Sequence, residues 1–334
     1  MPARSLLLAT FLLVTAAPAG AQEYVWTGDR PDGVAPLGVF ADRTLGAGSL
    51  EVSLVYRKTD QEGIRLDSEL IDPTTLFDFF TVVPFELTSQ GWYARGAYGV
   101  SDDLTVTGRV GFLERDRVQF TEDFTFFDLE ASGITDVEVQ ALYSIWDQGP
   151  YRAQLQAGVL IPTGSVEEEG AFAGVRSGTL PYDTQIGAGG WGIMPGFTAQ
   201  VMNEHGSVGG QVVATLFVAD KGDWRPGDQV EANAWGAFRF NRFFSSSVRV
   251  HAIAFGAIEG FDPDLDPDRD PGELPTSFSG RRVDIPVGVN FYMPEGRWQG
   301  HRLGLELVFP VHEKFDGPWL SNDWELVVGW QKAF

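Results

Sequence analysis

A two-residue hydropathy rhythm constrains this chain more than any other feature, and it runs to the last residue. In the closing segment Trp324, Leu326, Val328, Trp330 and Phe334 share one parity, while Glu325, Val327, Gly329, Gln331 and Ala333 take the other. Side chains alternate across a strand, so one face is apolar and rimmed by aromatics and the other is polar or small. That is the pattern of a strand with lipid on one side and a barrel interior on the other. About twelve such segments, each roughly ten residues, recur along the chain. They fall at 50–57, 92–100, 104–112, 137–145, 151–161, 193–201, 208–218, 230–240, 248–258, 283–293, 303–311 and 324–334.

The connections alternate as well. Those at 101–103, 147–150, 203–206, 241–242 and 295–297 are short and rich in Asn, Asp, Gly and Pro, which is turn chemistry. Those at 59–90, 113–132, 164–190, 220–227, 259–282 and 313–323 are long. The expected fold is all-β: a transmembrane antiparallel β-barrel of about twelve strands, with short periplasmic turns and long extracellular loops. A soluble sandwich or propeller would show similar alternation. Aromatic placement argues against it. Tyr98, Tyr143, Trp146, Tyr151, Phe238, Phe240, Phe243, Trp330 and Phe334 sit near the short-turn ends, and Trp92, Phe112 and Phe309 near the long-loop ends. Amphipathic rings gather at membrane interfaces, so two girdles are a barrel property.

The N-terminus supports export. A basic start, an apolar run at 6–17 too short to span a bilayer, and Ala19-Gly20-Ala21 read as a signal peptide over 1–21. Residues 22–47, with Pro31 and Pro36, read as an N-terminal extension, either a periplasmic tail or a segment tucked into the barrel, and 48–334 as the barrel itself. The expected location is the bacterial outer membrane, with the lipid bilayer, a small-molecule solute and the barrel-insertion machinery, through Phe334, as partners. There are no cysteines, hence no disulfide or thiolate metal site. A net charge of −22 opposes nucleic-acid binding, which needs Lys and Arg on phosphates.

Parity then assigns the inward face. Arg57, Arg95, Arg109, Arg152, Arg239, Arg249 and Arg302 point into the lumen, as do Glu51, Asp136, Glu138, Glu231, Asp284, Glu306, Glu325 and His251. A Lys or Arg facing lipid at midplane costs about 2–4 kcal/mol, which keeps these charges inside. The two signs balance, which suits either a lumen closed by ion pairs or a water-filled path for solutes. Two loops carry aromatic clusters, Phe77, Phe79, Phe80 and Phe85 in one and Phe120, Phe124, Phe126 and Phe127 in the other. They read as a lid, or as a capture surface for apolar solutes. No arrangement of His205, His251, His301 and His312 suggests catalysis, and a hydrolase is the weakest reading.

One loop mimics a calcium site. Asp262, Asp264, Asp266, Asp268, Asp270 and Glu273 have the spacing of the liganding positions of an EF-hand loop, but its obligatory glycine is replaced by Pro267. The expectation is a solvated acidic loop, with weak Ca2+ binding at Asp262, Asp264, Asp266 and Asp268 as the alternative, and otherwise no cofactor.

Several segments taken in order resemble an outer-membrane family labelled the MetA pathway of phenol degradation. They are Ala35-Pro-Leu-Gly-Val39, Val55-Tyr-Arg57, Gly133-Ile-Thr-Asp-Val-Glu-Val-Gln-Ala-Leu-Tyr143, Ile161-Pro-Thr-Gly-Ser165, Leu180-Pro-Tyr-Asp-Thr-Gln-Ile-Gly187, Trp235-Gly-Ala-Phe-Arg239, Tyr292-Met-Pro-Glu-Gly296, Gly300-His-Arg302 and Asp316-Gly-Pro318 leading to Gly329-Trp330. The resemblance implies an outer-membrane barrel passing small organic molecules. A soft-metal role seen in some relatives' His and Met clusters does not carry over, because Phe40-Ala-Asp-Arg-Thr-Leu45 holds neither residue. Together these readings point to a passive channel for small solutes, aromatic or hydrophobic ones included. The alternative is a closed structural or binding barrel with functional external loops.

Overall fold

The computed structural model describes residues 24–172, 175–220 and 222–334, so the expected signal peptide lies outside the described residues. Eleven strands close the barrel: β1 (Leu50–Asp67), β2 (Val82–Gly99), β3 (Leu104–Thr121), β4 (Val137–Gln148), β5 (Tyr151–Ile161), β6 (Gly190–Met202), β7 (Gly206–Asp220), β8 (Gln229–Arg239), β9 (Phe244–Phe255), β10 (Gly280–Tyr292) and β11 (His301–Ala333). Each pairs antiparallel with its chain neighbours, and β11 returns to β1 to seal the cylinder.

β11 makes two crossings. Residues 302–315 run against β10 and 315–333 run against β1, with Phe315 opposite both Gly280 and Asp67. The wall is therefore crossed about twelve times, as the alternation implies. The expected loop at 313–323 stays in β conformation through the reversal.

Two further expectations about loops are corrected. The stretch 113–132 is a β-hairpin, since β3 continues to Thr121 and pairs with a strand at Phe126–Ile134. Much of 59–90 is likewise strand, because β1 and β2 extend past the membrane-sized segment and remain paired from Asp60/Thr88 to Glu62/Glu86. The apolar alternation ends at the bilayer edge, but backbone pairing does not, and that is why hydropathy alone stopped short.

The barrel is inside-out compared with a soluble fold. Trp92, Tyr98, Val106, Phe112, Tyr143, Leu155, Phe197, Phe238 and Phe309 are exposed on the outer face. Thr105, Thr107, Gln140, Gln154, Gln156, Thr198, Gln200, Gln211, Asn233 and Ser247 are buried within. The expected girdle residues are exposed with one exception: Trp330 is half-buried, and its indole Nε1 donates to His301 Nδ1 at 2.9 Å. Among the described residues the apolar clusters fall in the long-loop half or at the contacts of the N-terminal segment.

Candidate functional site: a plugged lumen beneath a vestibule

The segment 24–48 enters the lumen from the short-turn end, reaches mid-barrel and returns to the same end. Trp26 N–H donates to Gly149 O at one limb, and Ala47 N–H donates to Asp102 Oδ1 at the other. Its prolines and glycines keep it out of the sheet, so its backbone carbonyls need other donors. Wall side chains supply them. Arg302 donates to Pro31 O at 2.7 Å, Arg30 O at 2.8 Å and Gly28 O at 3.1 Å. Gln154, at 2.9 Å, and Gln156, at 2.6 Å, both donate to Ala41 O. Gln211 reaches Phe40 O at 2.9 Å, Gln200 reaches Asp42 O at 2.5 Å, and Ser207 reaches Asp32 O at 2.8 Å.

Charges and packing complete the seat. Arg30 pairs with Asp32 inside the plug, and Arg43 bridges Asp42 to Glu51 on the wall. Gly38 N–H donates to the Glu306 carboxylate, and a Cβ at Gly38 would collide with both the Arg249 guanidinium and that carboxylate. Leu37 fits over Gly304 and Gly329, where a Cβ at Gly329 would lie 2.8 Å from its Cδ1. Ala35 and Val39 pack on Trp235. A cavity of about 60 Å³ lies between plug and wall. Of the two readings of 22–47, the tucked segment is the one adopted by 24–47.

Most of the inward charges inferred from parity serve this seat or pair with one another. Arg95 donates to Leu37 O at 3.3 Å, and Arg95 and Arg109 both stack on the Phe40 ring. Arg109 also pairs with Glu138 at 2.6 Å, and Arg57 with Glu325 at 3.4 Å. Arg249 bridges Glu306 at 3.4 Å and Asn233 at 2.6 Å. His251 links Asp284 at 2.8 Å and Glu231 at 3.3 Å. Arg152 pairs with Asp147 and stacks on Trp26, and Arg239 donates to Glu204 O; both are at the short-turn rim rather than mid-lumen. Asp136 lies at the long-loop end, where its oxygens accept Gly164 N–H at 2.8 Å and Ala188 N–H at 2.7 Å.

Above the plug lies a cavity of about 470 Å³, within the range of small-molecule sites. Tyr93, Tyr182, Trp224, Phe255, Phe278 and Trp319 give it aromatic walls, and Gln61, Arg109, Arg115, Glu138, Asp183 and Gln229 its polar groups. Tyr182 packs edge-on to Trp224 at 4.6 Å and to Phe278 at 5.7 Å. Burial pushes its phenol up to about 12, so the hydroxyl keeps its proton and serves as a neutral group.

Loops latch together over this vestibule. Arg117, fully buried, meets Asp270 at 2.6 Å and Asp183 at 3.2 Å, which joins β3 to two different loops. Glu273, also fully buried, accepts Asp266 N–H at 2.6 Å and pairs with Arg269 at 2.7 Å; burial nevertheless pushes its carboxyl up to about 7. The loop phenylalanines divide by burial. Phe77 and Phe80 pack on the Ile64–Leu76–Val83–Leu87–Phe120–Leu320 cluster, and Phe127 on the Leu129–Leu180 cluster. Phe85, Phe124 and Phe126 are exposed around Phe120, and Phe79 is exposed as well.

Among the described residues no three His, Cys, Asp or Glu groups converge as a metal site. Within the acidic loop, Asp262 and Asp266 instead accept the N–H of Asp264 and Asp268, the local turns that Asx-Pro sequences favour.

No family model matches the chain, and no curated protein does, so the phenol-pathway resemblance has no support of that kind. Solved structures do match. The chain superposes on the COG4313 outer membrane channel from Pseudomonas putida F1 with a TM-score of 0.61 at 14% identity, covering 89% of this chain and 100% of that one. A FadL homologue from Pseudomonas aeruginosa matches more loosely, with a TM-score of 0.44 at 8% identity over 94% of this chain and 98% of that one. The fold is that of an outer-membrane β-barrel.

Proposed function

We propose that the protein is a passive outer-membrane channel, closed at rest by its own N-terminal segment, that admits small solutes with aromatic or hydrophobic parts from an external vestibule. The observation that carries this reading is the way the plug is held. It is seated by side-chain hydrogen bonds and ion pairs rather than by strand pairing, beneath an aromatic and polar cavity of about 470 Å³. Side-chain contacts of about 0.5–1.5 kcal/mol each can exchange for water, whereas a plug strand inserted in the sheet could not leave without breaking it. A signal peptide and delivery of Phe334 to the insertion machinery belong to the same reading. Phe334 is exposed at the rim, and its N–H donates to Leu50 O at 2.8 Å across the seam. No catalytic step is involved.

A closed structural or binding barrel is the second reading, favoured by the buried Arg249–Glu306 pair that fills the lumen beside Gly38. Planar-bilayer recording of the purified protein, and of a variant lacking residues 24–46, separates the two. A silent or flickering parent and a steadily conducting deletion variant support the channel. A folded deletion variant that neither conducts nor passes phenol-sized solutes in liposome swelling sinks it.

A further inference from the structure

We infer that the vestibule selects aromatic carboxylates, taking the ring against Tyr93 and the carboxylate at the Arg115 guanidinium. This deepens the channel reading by naming its solute class. Four charged side chains besides Arg115 line the cavity, and each is engaged by the protein through its charged group. Arg109 and Glu138 satisfy one another at 2.6 Å, Asp136 accepts two backbone N–H groups, and Asp183 faces the buried Arg117 at 3.2 Å. Arg115 differs. Among the described residues no carboxylate lies within ion-pair distance of it, its Nη1 donates to a carbonyl, Asp183 O, and its buried Nε has no acceptor. Its Nη2 makes no hydrogen bond or ion pair with the described residues and is not among the buried donors, so the guanidinium keeps a free edge at the cavity wall that suits a planar anion.

The ring site is equally specific. Arg109, Gly111, Leu113 and Arg115 share the inward face of β3. Tyr93, directly opposite Gly111, lays its ring over that glycine, where a Cβ would come within 2.6 Å of the ring. Tyr93 therefore presents an aromatic surface a few residues below the guanidinium, in the same chamber that Phe278 and Trp319 line. Asp183 turns its carboxylate to Arg117 at 3.2 Å and offers Arg115 only its backbone carbonyl, which weakens its claim on that charge.

The test is isothermal titration of the purified full chain with benzoate, benzyl alcohol, benzylammonium and acetate, at low and high salt, for the parent, Arg115→Gln and Arg239→Gln. Benzoate is expected to bind about tenfold or more tighter than benzyl alcohol, in line with a charge-assisted bond. That preference should shrink with salt, be lost in Arg115→Gln and persist in Arg239→Gln, a rim substitution. Equal binding of benzoate and benzyl alcohol by the parent overturns the inference without needing any variant to fold. So does retention of the benzoate preference in Arg115→Gln. Conductance of the deletion variant is measured separately, so a selective vestibule in a barrel that never conducts would count against the channel and not against this assignment. A conducting barrel with no preference would do the reverse.

Discussion

Replacing Arg302 with Met should unseat the plug while leaving the wall intact. The guanidinium makes three hydrogen bonds to plug carbonyls, at Pro31, Arg30 and Gly28, and stacks on Tyr292 at 5.0 Å. A hydrogen bond from a charged donor is worth about 1.5–3 kcal/mol net when buried, and about 0.5–1.5 kcal/mol when water can replace it. The lumen is open to water once the plug moves, so the lower figure applies, and three bonds give about 3 kcal/mol. At about 1.4 kcal/mol per decade, the ratio of unplugged to plugged molecules should rise roughly 100-fold. Met keeps the apolar stem, so wall packing is preserved. The assay is single-channel recording, with the open fraction read against the variant lacking 24–46 as the fully open reference. An Arg302→Met barrel that stays as closed as its parent, while the deletion variant conducts, would show that the carbonyl contacts do not hold the plug.

Further substitutions probe the remaining contacts. Gly38→Val places a side chain where Arg249 and Glu306 already stand, and should raise the open fraction at least as much as Arg302→Met; an unchanged channel would mean that the seat is loose. Asp270→Ala strips the closest partner from the buried Arg117, a change that should weaken the loop latch by about 3 kcal/mol and speed proteolysis at 262–278 without altering the barrel's melting in detergent. Glu273 gives the latch a pH dependence. Its carboxyl is raised by burial from the ordinary range to about 7, so the latched state favours the protonated form. The resulting stability is fully present below about 4.5 and is lost as pH rises through about 7. Hydrogen exchange at 262–278, corrected for intrinsic rates, should therefore be slower at pH 5 than at pH 8, and Glu273→Gln should flatten the difference. Equal or inverted protection would refute the assignment.

The barrel, its approximate strand count and the inward parity of the mid-wall charges were legible because lipid imposes a period of two on the wall. The plug was half legible: Pro31, Pro36 and the glycines excluded regular structure at 24–48 but did not say where the segment lies. A stronger signal was present in the wall. Gln154, Gln156, Gln200 and Gln211 occupy lumen-facing positions on three successive strands, β5 to β7, and amides gathered there have no solute charge to select. Their partner is peptide, a use that a search for charged lumen residues passes over. Arg117, Asp183, Asp270 and Glu273 were illegible as a group, since they meet only when β3 and two loops far apart in sequence fold over one another. The acidic loop was expected to be a solvated loop despite its cation-site spacing, and two of its carboxylates, Asp262 and Asp266, do accept N–H groups of its own backbone.

Both limbs of the plug emerge at the short-turn end, beside Gly149 on one side and Asp102 on the other. The segment is therefore a loop dipped into a cylinder, not a thread passed through it. It can be withdrawn and reseated without opening the β1–β11 seam, and it can enter after that seam has formed. Its route out lies toward one compartment only, so a solute arriving in the vestibule meets the tip of the plug while its anchored limbs remain on the far side. Release from within pulls on limbs that are already in reach, whereas release from outside must push through the seat at Leu37 and Gly38.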